Sequence, residues 1–455
     1  MSRIQRIKKG ADIRLEGRPA DTVVKAPSAS LYSVKPPDFT GLVAKLTVRP
    51  GDQVKAGSTI FYDKKLQSVK YASPVAGTIK DIVRGAKRRI LAIEIDASSD
   101  TSYCDFGVLD VKNSDRNQIL SHILESGMFP FFRQRPFDVV ANPDDVPRSI
   151  HVSAFDSSPL AASTSVALDG RLSSFQEGID ALAKLAGDGG VFLGIRSSDK
   201  TLSGIKNCQI AYFEGPHPSG NVGVQIHHTA PLSKGELVWT IGYQDVANIG
   251  SLLTSGKYIP TRIVACGGSE CEKPQHVSTL AGASVSSIVD IPSKANNGDE
   301  VRVISGSPLT GDQISKDGYI GAFHSAVALL PEGNDPKFLL TTGWLSLGLS
   351  RFSLSKSFPT WLMPKSKEWA LDTNMGGEER AFVVTGEYEK VFPMDIYPVH
   401  LIKSIIVNDI DSMEKLGIYE VAPEDFALCE YGCTSKIPVQ KIVREGLENL
   451  RNELG

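Results

Sequence analysis

The sequence predicts a multi-domain α/β protein in which a small all-β unit comes first. An α/β domain and a second small β unit follow, and helices end the chain. The 455 residues are enough for about three domains of roughly 150 residues each. Apolar residues alternate between closely spaced turns in 41–95, which indicates short strands. From 114 to 250, segments with helical spacing alternate with apolar strands, as in an open sheet with crossover helices.

The composition excludes several classes of protein. Hydrophobic residues make up 41% and charged residues 22% of the chain, as in ordinary globular proteins. With a net charge of −3, the chain is not expected to be a general binder of nucleic acid or anionic lipid. It has no run of about 18 apolar residues that would predict a transmembrane helix, and its basic N-terminus lacks the apolar core of a secretory signal. Six cysteines do not make a disulfide scaffold, so a reducing, cytoplasmic setting is predicted, with membrane contact only through a partner.

Three turns divide the first β unit into short strands. Gly51 and Gly57 lie six residues apart, and Gly77 follows Ser73-Pro74. Glycine adopts the positive φ that many tight turns require. The resulting V-x-x-G-D-x-V-x-x-G…S-P-V-x-G pattern resembles the barrel-sandwich hybrid of biotinyl and lipoyl domains.

The same resemblance raises the question of an attached prosthetic group. In the biotinyl and lipoyl carriers the modified lysine lies eleven residues before the final glycine. Leu66 occupies that position here, and Lys64 and Lys65 come two and one residues too early. We therefore expect a barrel without a prosthetic group. The alternative, a carrier modified at Lys64 or Lys65, would show as an increase in intact mass.

The α/β segment carries no recognisable phosphate or metal site. The nearest approach to a phosphate-binding loop is 215–223, where two prolines remove backbone N–H donors, so a structural turn is favoured. His227 and His228 are the only adjacent histidines. If they lie on a strand, neighbouring side chains point to opposite faces, so the pair is not expected to bind one metal ion.

The last 200 residues predict two further units. Short strands and a glycine-rich hairpin between 260 and 320 indicate a small β-grasp module. The chain after 331 begins with a loop-rich stretch that includes FSLSKSFPTWLMPKSK. It becomes helical in YPVHLIKSIIVNDIDSMEKLG and again in VQKIVREGLENLRNELG.

One pair of cysteines has a spacing known from iron–sulfur proteins. Cys429 and Cys433 fit the second half of a ferredoxin run, C-x2-C-x2-C-x3-C. The first two ligand positions of that run fall on Pro423 and Phe426. Because a [4Fe–4S] cluster needs four thiolates, we interpret the two cysteines as remnants of a lost cluster site or as buried packing thiols.

One segment has the side chains expected of a site for a planar apolar ligand. Aromatic rings can stack on such a ligand, and guanidinium groups can donate hydrogen bonds to a carbonyl oxygen that gains negative charge. The alternative is an ordinary junction between domains. The candidate residues of this segment are Phe131, Phe132, Arg133, Arg135 and Phe137.

Several longer matches resemble one family, the A subunit of the bacterial sodium-translocating NADH:quinone reductase. They are I-K-K-G-A-D-I-R-L-E-G-R-P over 7–19, W-T-I-G-Y-Q-D-V over 239–246, D-T-N-M-G-G-E-E-R-A over 372–381, G-E-Y-E-K-V-F-P-M-D-I-Y-P over 386–398 and D-F-A-L-C-E-Y-G-C over 425–433. The family is similar to the flavin-binding subunit of complex I and to the C subunit of the Rnf complex. That resemblance implies a barrel-sandwich hybrid within 1–100, a Rossmann-like α/β domain over 101–257, a β-grasp (SLBB) domain over 258–330 and a C-terminal helical bundle within 331–455.

The resemblance also implies a function. The chain is expected to be a peripheral subunit on the cytoplasmic face of the bacterial inner membrane, in a complex that couples NADH oxidation and quinone reduction to sodium export. Its expected partners are the B to F subunits, chiefly the membrane-embedded B subunit, and quinone; NADH, flavins and iron centres belong to the other subunits. No cofactor, metal ion or catalytic residue is expected in this chain. The alternative is an iron–sulfur or flavin electron carrier of the Rnf type, which would be coloured.

Overall fold

Two short N-terminal strands lie in sheets that are otherwise formed by later parts of the chain. A computed structural model describes residues 4–27, 29–334, 347–349, 351–354, 356 and 358–454. Strand β1 (Gln5–Arg6) pairs in parallel with a strand near residue 213, and β2 (Ala20–Lys25) pairs in parallel with a strand near residue 277. The N-terminal segment therefore ties the α/β unit and the second β unit together before the first barrel begins.

The first β unit is a pair of small facing sheets, as the turn pattern predicts. A four-stranded sheet has the order β3-β9-β8-β5, and a three-stranded sheet has the order β4-β6-β7. Gly77 is required here, because a Cβ atom at this position would lie 2.0 Å from the Asp96 carbonyl oxygen. The strands are β3 (Leu31–Val34), β4 (Ala44–Leu46), β5 (Gln53–Val54), β6 (Thr59–Asp63), β7 (Lys70–Ala72), β8 (Gly77–Arg84) and β9 (Ile90–Ala97).

The α/β unit is a seven-stranded sheet with helices packed on it. Its order is β1-β14-β13-β12-β15-β10-β11, and its four central strands β14, β13, β12 and β15 run parallel. The helices are α1 (Arg116–Ser126), α2 (Thr164–Ala167), α3 (Leu172–Leu185), α4 (Val222–Thr229) and α5 (Tyr243–Ser255). The strands are β10 (Arg133–Arg135), β11 (Val139–Val140), β12 (Ile150–Ser153), β13 (Val191–Arg196), β14 (Gln209–Glu214) and β15 (Val238–Thr240).

The local predictions for this unit are largely confirmed. The predicted helices are α1 and α3, and the apolar run GVFLGI forms the central strand β13. A capping box at Asp115 begins α1, because its carboxylate accepts a hydrogen bond from the Gln118 amide at 2.9 Å. The strand assumed for His227 and His228 is wrong, because both residues lie in the last turn of α4.

The second β unit is a six-stranded mixed sheet with the order β19-β18-β20-β16-β17-β2. Its two hairpins, β16 with β17 and β18 with β19, are antiparallel, whereas the central pair β16 and β20 is parallel. The glycine-rich hairpin predicted from the sequence is the second of these. The strands are β16 (Thr261–Gly267), β17 (Gln275–Leu280), β18 (Val301–Ser305), β19 (Asp312–Ile314) and β20 (Ala326–Pro331).

Helices fill the C-terminal part of the chain and pack against the α/β unit. Their core includes Ile402, Phe426 and Val443, all fully buried. No helix within the described residues is both long and apolar enough to cross a membrane. The helices are α6 (Tyr388–Val391), α7 (Pro398–Ile406), α8 (Ile410–Lys415), α9 (Ala427–Tyr431) and α10 (Val439–Leu454).

Candidate functional site

A narrow cleft opens where the barrel, the α/β unit and the second β unit meet. We name it the junction cleft. Its cavity volume is about 30 Å³, room for about two water molecules, so a larger ligand enters only if the three units move apart. Apolar atoms form most of its walls. Three units contribute to one concave and largely apolar surface, which is the usual character of a small-molecule site. The lining residues used below are Ser33, Lys35, Asp38, Phe39, Tyr71, Phe131 and Tyr258.

Short rigid elements hold the lining side chains in place. Ser33 lies on β3 and Tyr71 on β7, so the two facing sheets of the barrel each supply one hydroxyl. Phe39 ends a 3-10 turn at Pro36–Asp38, and Phe131 ends a second one at Phe129–Phe131. A proline near the start of each turn fixes the local backbone, because its ring restricts φ.

Aromatic rings in edge-to-face contact stiffen the cleft. Phe39 meets Tyr71 with ring centroids 4.7 Å apart and meets Phe323 at 5.4 Å. Phe323 also contacts Phe131 at 5.9 Å. These rings give the cleft flat apolar surfaces, which a planar ligand requires.

Two buried hydroxyl groups at the cleft lack a partner. The Ser33 Oγ and the Tyr71 OH atoms make no hydrogen bond to any residue that the structure describes, although each side chain is only 2% exposed. An unpaired buried hydroxyl costs free energy. Each of these oxygens has almost no exposed surface, so neighbouring side chains must shift before a ligand can accept a hydrogen bond from it. Burial, aided by the Asp63 carboxylate, raises the pKa of Tyr71 well above its ordinary value. Its phenol therefore keeps its proton and remains a donor.

Charged groups stand at the barrel side of the cleft. Lys35 Nζ lies 3.3 Å from the Asp38 carboxylate, and the same carboxylate accepts a hydrogen bond of 2.8 Å from the Ala322 amide. This second contact ties the barrel to the second β unit. The Arg133 guanidinium lies over the Phe323 ring at 5.2 Å. Two cations, Lys35 and Arg133, and one anion, Asp38, thus lie near the aromatic wall.

The structure brings only part of the predicted ligand segment to the cleft. Phe131 lines it, and Arg133 reaches its aromatic wall through Phe323. Phe132 is fully buried against Phe129 and Trp239. The remaining two candidates, Arg135 and Phe137, lie toward the C-terminal helices.

Arg135 is the centre of a buried ionic cluster, which we define as Arg135, Asp138, Glu424, Asp425 and Arg444. Its guanidinium nitrogens lie 3.7 Å from Asp138, 3.0 Å from Glu424 and 3.6 Å from Asp425. Arg444 Nη2 lies 2.8 Å from the Asp138 carboxylate. Arg135 is 1% exposed, so its charge serves to join the α/β unit to the C-terminal helices. Phe137 belongs to the same junction, because its ring packs against that of Tyr419 at 6.3 Å.

Opposing effects act on the Asp138 carboxyl group. Burial alone would raise its pKa, but the guanidinium groups of Arg133, Arg135 and Arg444 outweigh burial and hold the pKa well below the ordinary value. The ionised form is therefore the one that the fold favours.

This pKa shift predicts how Asp138 affects stability in acid. A depressed folded-state pKa gives stability that is present above the unfolded-state value, about 3.9, and is lost as pH falls toward the folded-state value. We expect Asp138→Asn to lower the free energy of unfolding by about 3 kcal/mol at pH 7, and the difference from the natural chain to narrow below about pH 4. Urea melts over this pH range measure it, with the exposed pair member Glu445→Gln as control. If the difference in free energy of unfolding between the natural chain and Asp138→Asn stays constant down to pH 2, the Asp138 carboxylate does not have a depressed pKa.

Cys429 and Cys433 are packed into the core of the C-terminal helices. Both are buried, at 1% and 2% exposure. The Cys433 Sγ atom accepts hydrogen bonds from the Tyr388 hydroxyl at 3.0 Å and from the Ile437 amide at 3.4 Å. Within the described ranges, no group of three or more histidine, cysteine or acidic side chains could hold a metal ion.

Sequence reasoning missed most of the cleft. Ser33, Phe39, Tyr71 and Tyr258 were not singled out, because their apolar neighbours identify them only as core positions of strands and turns. Their shared role depends on how three units meet, and no local pattern encodes that meeting. Phe131 alone was found from its neighbours along the chain.

Comparisons with known proteins give matches along most of the chain. Three family models match: the NqrA N-terminal barrel-sandwich hybrid domain over 5–98, the NqrA second alpha/beta domain over 114–258 and the NQRA C-terminal domain over 263–316. The predictions of a barrel-sandwich hybrid and of an α/β domain after it are thereby confirmed.

Full-length relatives are named as the A subunit of the Na(+)-translocating NADH-quinone reductase. The protein of Rhodopirellula baltica is 35% identical over 99% of this chain and 98% of its own length. Those of Saccharophagus degradans and Cellvibrio japonicus are 36% and 35% identical, each over 98% of this chain and 99% of their own length. A solved NAD+-reducing [NiFe]-hydrogenase aligns with a TM-score of 0.39 at 10% identity, over 77% of this chain and 68% of its own, which is too low to support an inference.

Proposed function

Because the chain belongs to the family of the Na(+)-translocating NADH-quinone reductase A subunit, we propose that it works as a peripheral subunit on the cytoplasmic face of the bacterial inner membrane. The complex would couple NADH oxidation and quinone reduction to sodium export. The partners of the chain are the B to F subunits, and chiefly the membrane-embedded B subunit. This chain carries out no catalysis on its own in this proposal.

The second part of the proposal is that the junction cleft holds the quinone headgroup. The observation that carries it is the pair of buried hydroxyls, Ser33 and Tyr71, which lack a partner in the described structure and line a cleft with aromatic walls. A quinone is a planar ring with two carbonyl oxygens, which are acceptors and not donors. The hydroxyls supply donors, and Phe39 and Phe131 supply flat apolar surfaces.

The charges near the cleft suit a ligand that is reduced. Two-electron reduction of a quinone consumes two electrons and two protons, and negative charge develops on the carbonyl oxygens before they are protonated. Hydrogen-bond donors placed near those oxygens stabilise that charge. The Lys35 and Arg133 cations favour it over a longer range, but their carboxylate partners Asp38 and Asp138 offset part of that attraction. The electrons come from elsewhere in the complex, and the residues here bind and orient the ring.

We further propose that this chain holds no flavin, nucleotide or iron–sulfur cluster. Two observations support this. The 215–223 loop offers few amide donors to a phosphate, since two of its residues are prolines. The Cys433 thiol is engaged by Tyr388 and packed in a core. The alternative is an electron carrier of the Rnf type. An absorbance spectrum of the purified chain distinguishes the two proposals, because such a carrier is coloured and a chain without these cofactors is colourless.

Titration of the purified chain with a short-tailed quinone tests the cleft. We expect saturable binding that weakens about fivefold in Phe131→Leu, because the variant loses the aromatic contact to the ring. Phe137→Leu is the matched control, since Phe137 lies in the same segment but packs on Tyr419, and its affinity should stay within about twofold. An equal loss in both variants, or no saturable binding by the folded natural chain, would contradict the proposal.

The two buried cysteines give a second test. We expect Cys429→Ser/Cys433→Ser to leave quinone reduction by the assembled complex within about twofold of normal, because these thiols pack and do not carry electrons. Activity per assembled complex is the measurement. A loss of more than about tenfold with assembly intact would instead support the electron-carrying alternative.

A further inference from the structure

An apolar patch faces solvent on the loop-rich segment that precedes the C-terminal helices. Leu347 is 77% exposed, Leu349 52%, Trp361 58% and Leu362 68%. We name these four residues the outer patch. A single exposed apolar residue is ordinary, but several large ones on one segment indicate an interaction surface.

The segment is anchored to the fold beside the outer patch. Phe352 packs against Trp369 at 6.3 Å and against Tyr431 at 6.5 Å. Trp369 is itself only 6% exposed and forms a β-bridge with Leu15. The segment that carries the outer patch is therefore held against the rest of the fold.

Two short stretches come together to form the outer patch. Gly348 lies directly on the Phe358 ring, where a Cβ atom would approach to 2.0 Å. Lys367 Nζ donates a hydrogen bond of 3.5 Å to the Leu349 carbonyl oxygen. Residues 347–349 thus lie beside the turn Pro359–Leu362 that carries Trp361 and Leu362.

Basic residues lie near part of the outer patch. The sequence from 347 to 371 contains four basic residues and one acidic residue, Glu368. Lys356, Lys365 and Lys367 are exposed, and Lys356 Nζ stands 6.0 Å from the centre of the Trp361 ring. The segment 347–371 therefore has a net positive charge, although the net charge of the whole chain is −3.

We propose that the outer patch rests on a lipid bilayer that contains anionic lipids, with Trp361 and Leu362 in the interfacial layer. Tryptophan beside lysine is the combination that membrane interfaces enrich, whereas lysine is depleted from protein–protein interfaces. Basic residues gain attraction from an anionic surface, and the apolar side chains gain from burial. This contact is direct and goes beyond the proposed function, in which partners supply the membrane contact.

Vesicle flotation of the full chain tests the inference. We expect co-flotation with vesicles of phosphatidylglycerol and phosphatidylcholine, and about fivefold less with phosphatidylcholine alone. Trp361→Ser/Leu362→Ser should reduce the bound fraction about fivefold on the anionic vesicles, and Lys356→Glu/Lys365→Glu should act similarly. The matched control is Ile406→Ser/Val407→Ser, which changes two residues that are 53% and 71% exposed on the end of α7. This variant should float like the natural chain.

Folding of each variant is checked by its thermal midpoint, which should match that of the natural chain because the changed side chains are exposed. Absence of flotation on anionic vesicles would overturn the inference, and so would flotation that is unchanged in Trp361→Ser/Leu362→Ser. Capture only by vesicles that carry the membrane-embedded partner, still dependent on Trp361, would identify a protein surface as the occupant and would also overturn it.

Discussion

The double variant Ser33→Ala/Tyr71→Phe is expected to be more stable than the natural chain and to bind quinone less tightly. Both hydroxyls are buried without a hydrogen-bond partner in the described structure, and a buried unpaired polar group costs about 1–3 kcal/mol. Removing both groups should therefore raise the free energy of unfolding by about 2 kcal/mol. A site that gives up stability in order to bind its ligand commonly shows this pair of opposite effects.

The loss of quinone affinity in this variant should be about tenfold or more, because two hydrogen bonds to the carbonyl oxygens disappear. Urea denaturation and quinone titration of the same preparations measure the two effects. Thr164→Val is the control, since its buried hydroxyl donates to the Ala154 carbonyl oxygen at 2.7 Å. This control should lose about 1 kcal/mol of stability and keep its quinone affinity. A less stable double variant with unchanged affinity would refute the assignment of Ser33 and Tyr71 as quinone donors.

Arg135→Met should lower the free energy of unfolding by about 3 kcal/mol, because it leaves the buried Asp425 carboxylate without its cation. Glu424 and Asp425 lose the guanidinium at 3.0 Å and 3.6 Å, while Asp138 keeps Arg444. Arg133→Met is the comparison: its side chain is 30% exposed, and Asp138 keeps Arg135 and Arg444, so its loss should cost less, about 1 kcal/mol. Urea melts at pH 7 provide the measurement.

The same variant should loosen one part of the chain before the rest. The ionic cluster joins the α/β unit to the segment that leads into α9, so we expect proteolysis to begin within 388–454 at urea concentrations that leave the barrel intact. If Arg135→Met and Arg133→Met are equally stable, the cluster does not hold this junction. If Arg135→Met is fully folded and no longer binds quinone, Arg135 contributes to quinone binding, as the sequence predicts.

Local patterns predicted the elements well, because they depend on neighbours along the chain. The helix α3 and the strand β13 follow from apolar spacing alone. The strand considered for His227 and His228 is not observed, because α4 contains both residues. The segment VGVQIHHT has too few apolar residues to distinguish the helical repeat of 3.6 residues from the strand repeat of two. Its packing in the fold therefore determines that it is a helix.

The site was predictable only where one segment supplied it. Phe131 was found among the candidates because phenylalanines and arginines cluster around it in the sequence. Arg135 has the same neighbours, but its partners Glu424 and Asp425 lie almost 300 residues away, so its burial among carboxylates could not be foreseen. The hydroxyls of Ser33 and Tyr71 carry no sequence signal, since the absence of a partner is a property of the assembled units.

The parallel pairing of β2 with β17 has a consequence for synthesis of the chain. The ribosome makes Ala20–Lys25 early, and the partner strand Gln275–Leu280 follows only after the barrel and the α/β unit. At roughly 5–20 residues per second, the first strand waits about 10–50 s. During that interval Val23 and Val24, which remain 44% and 45% exposed even in the finished fold, belong to a nascent segment whose amides have no partner strand. Translation speed between the two strands should therefore influence the yield of folded protein.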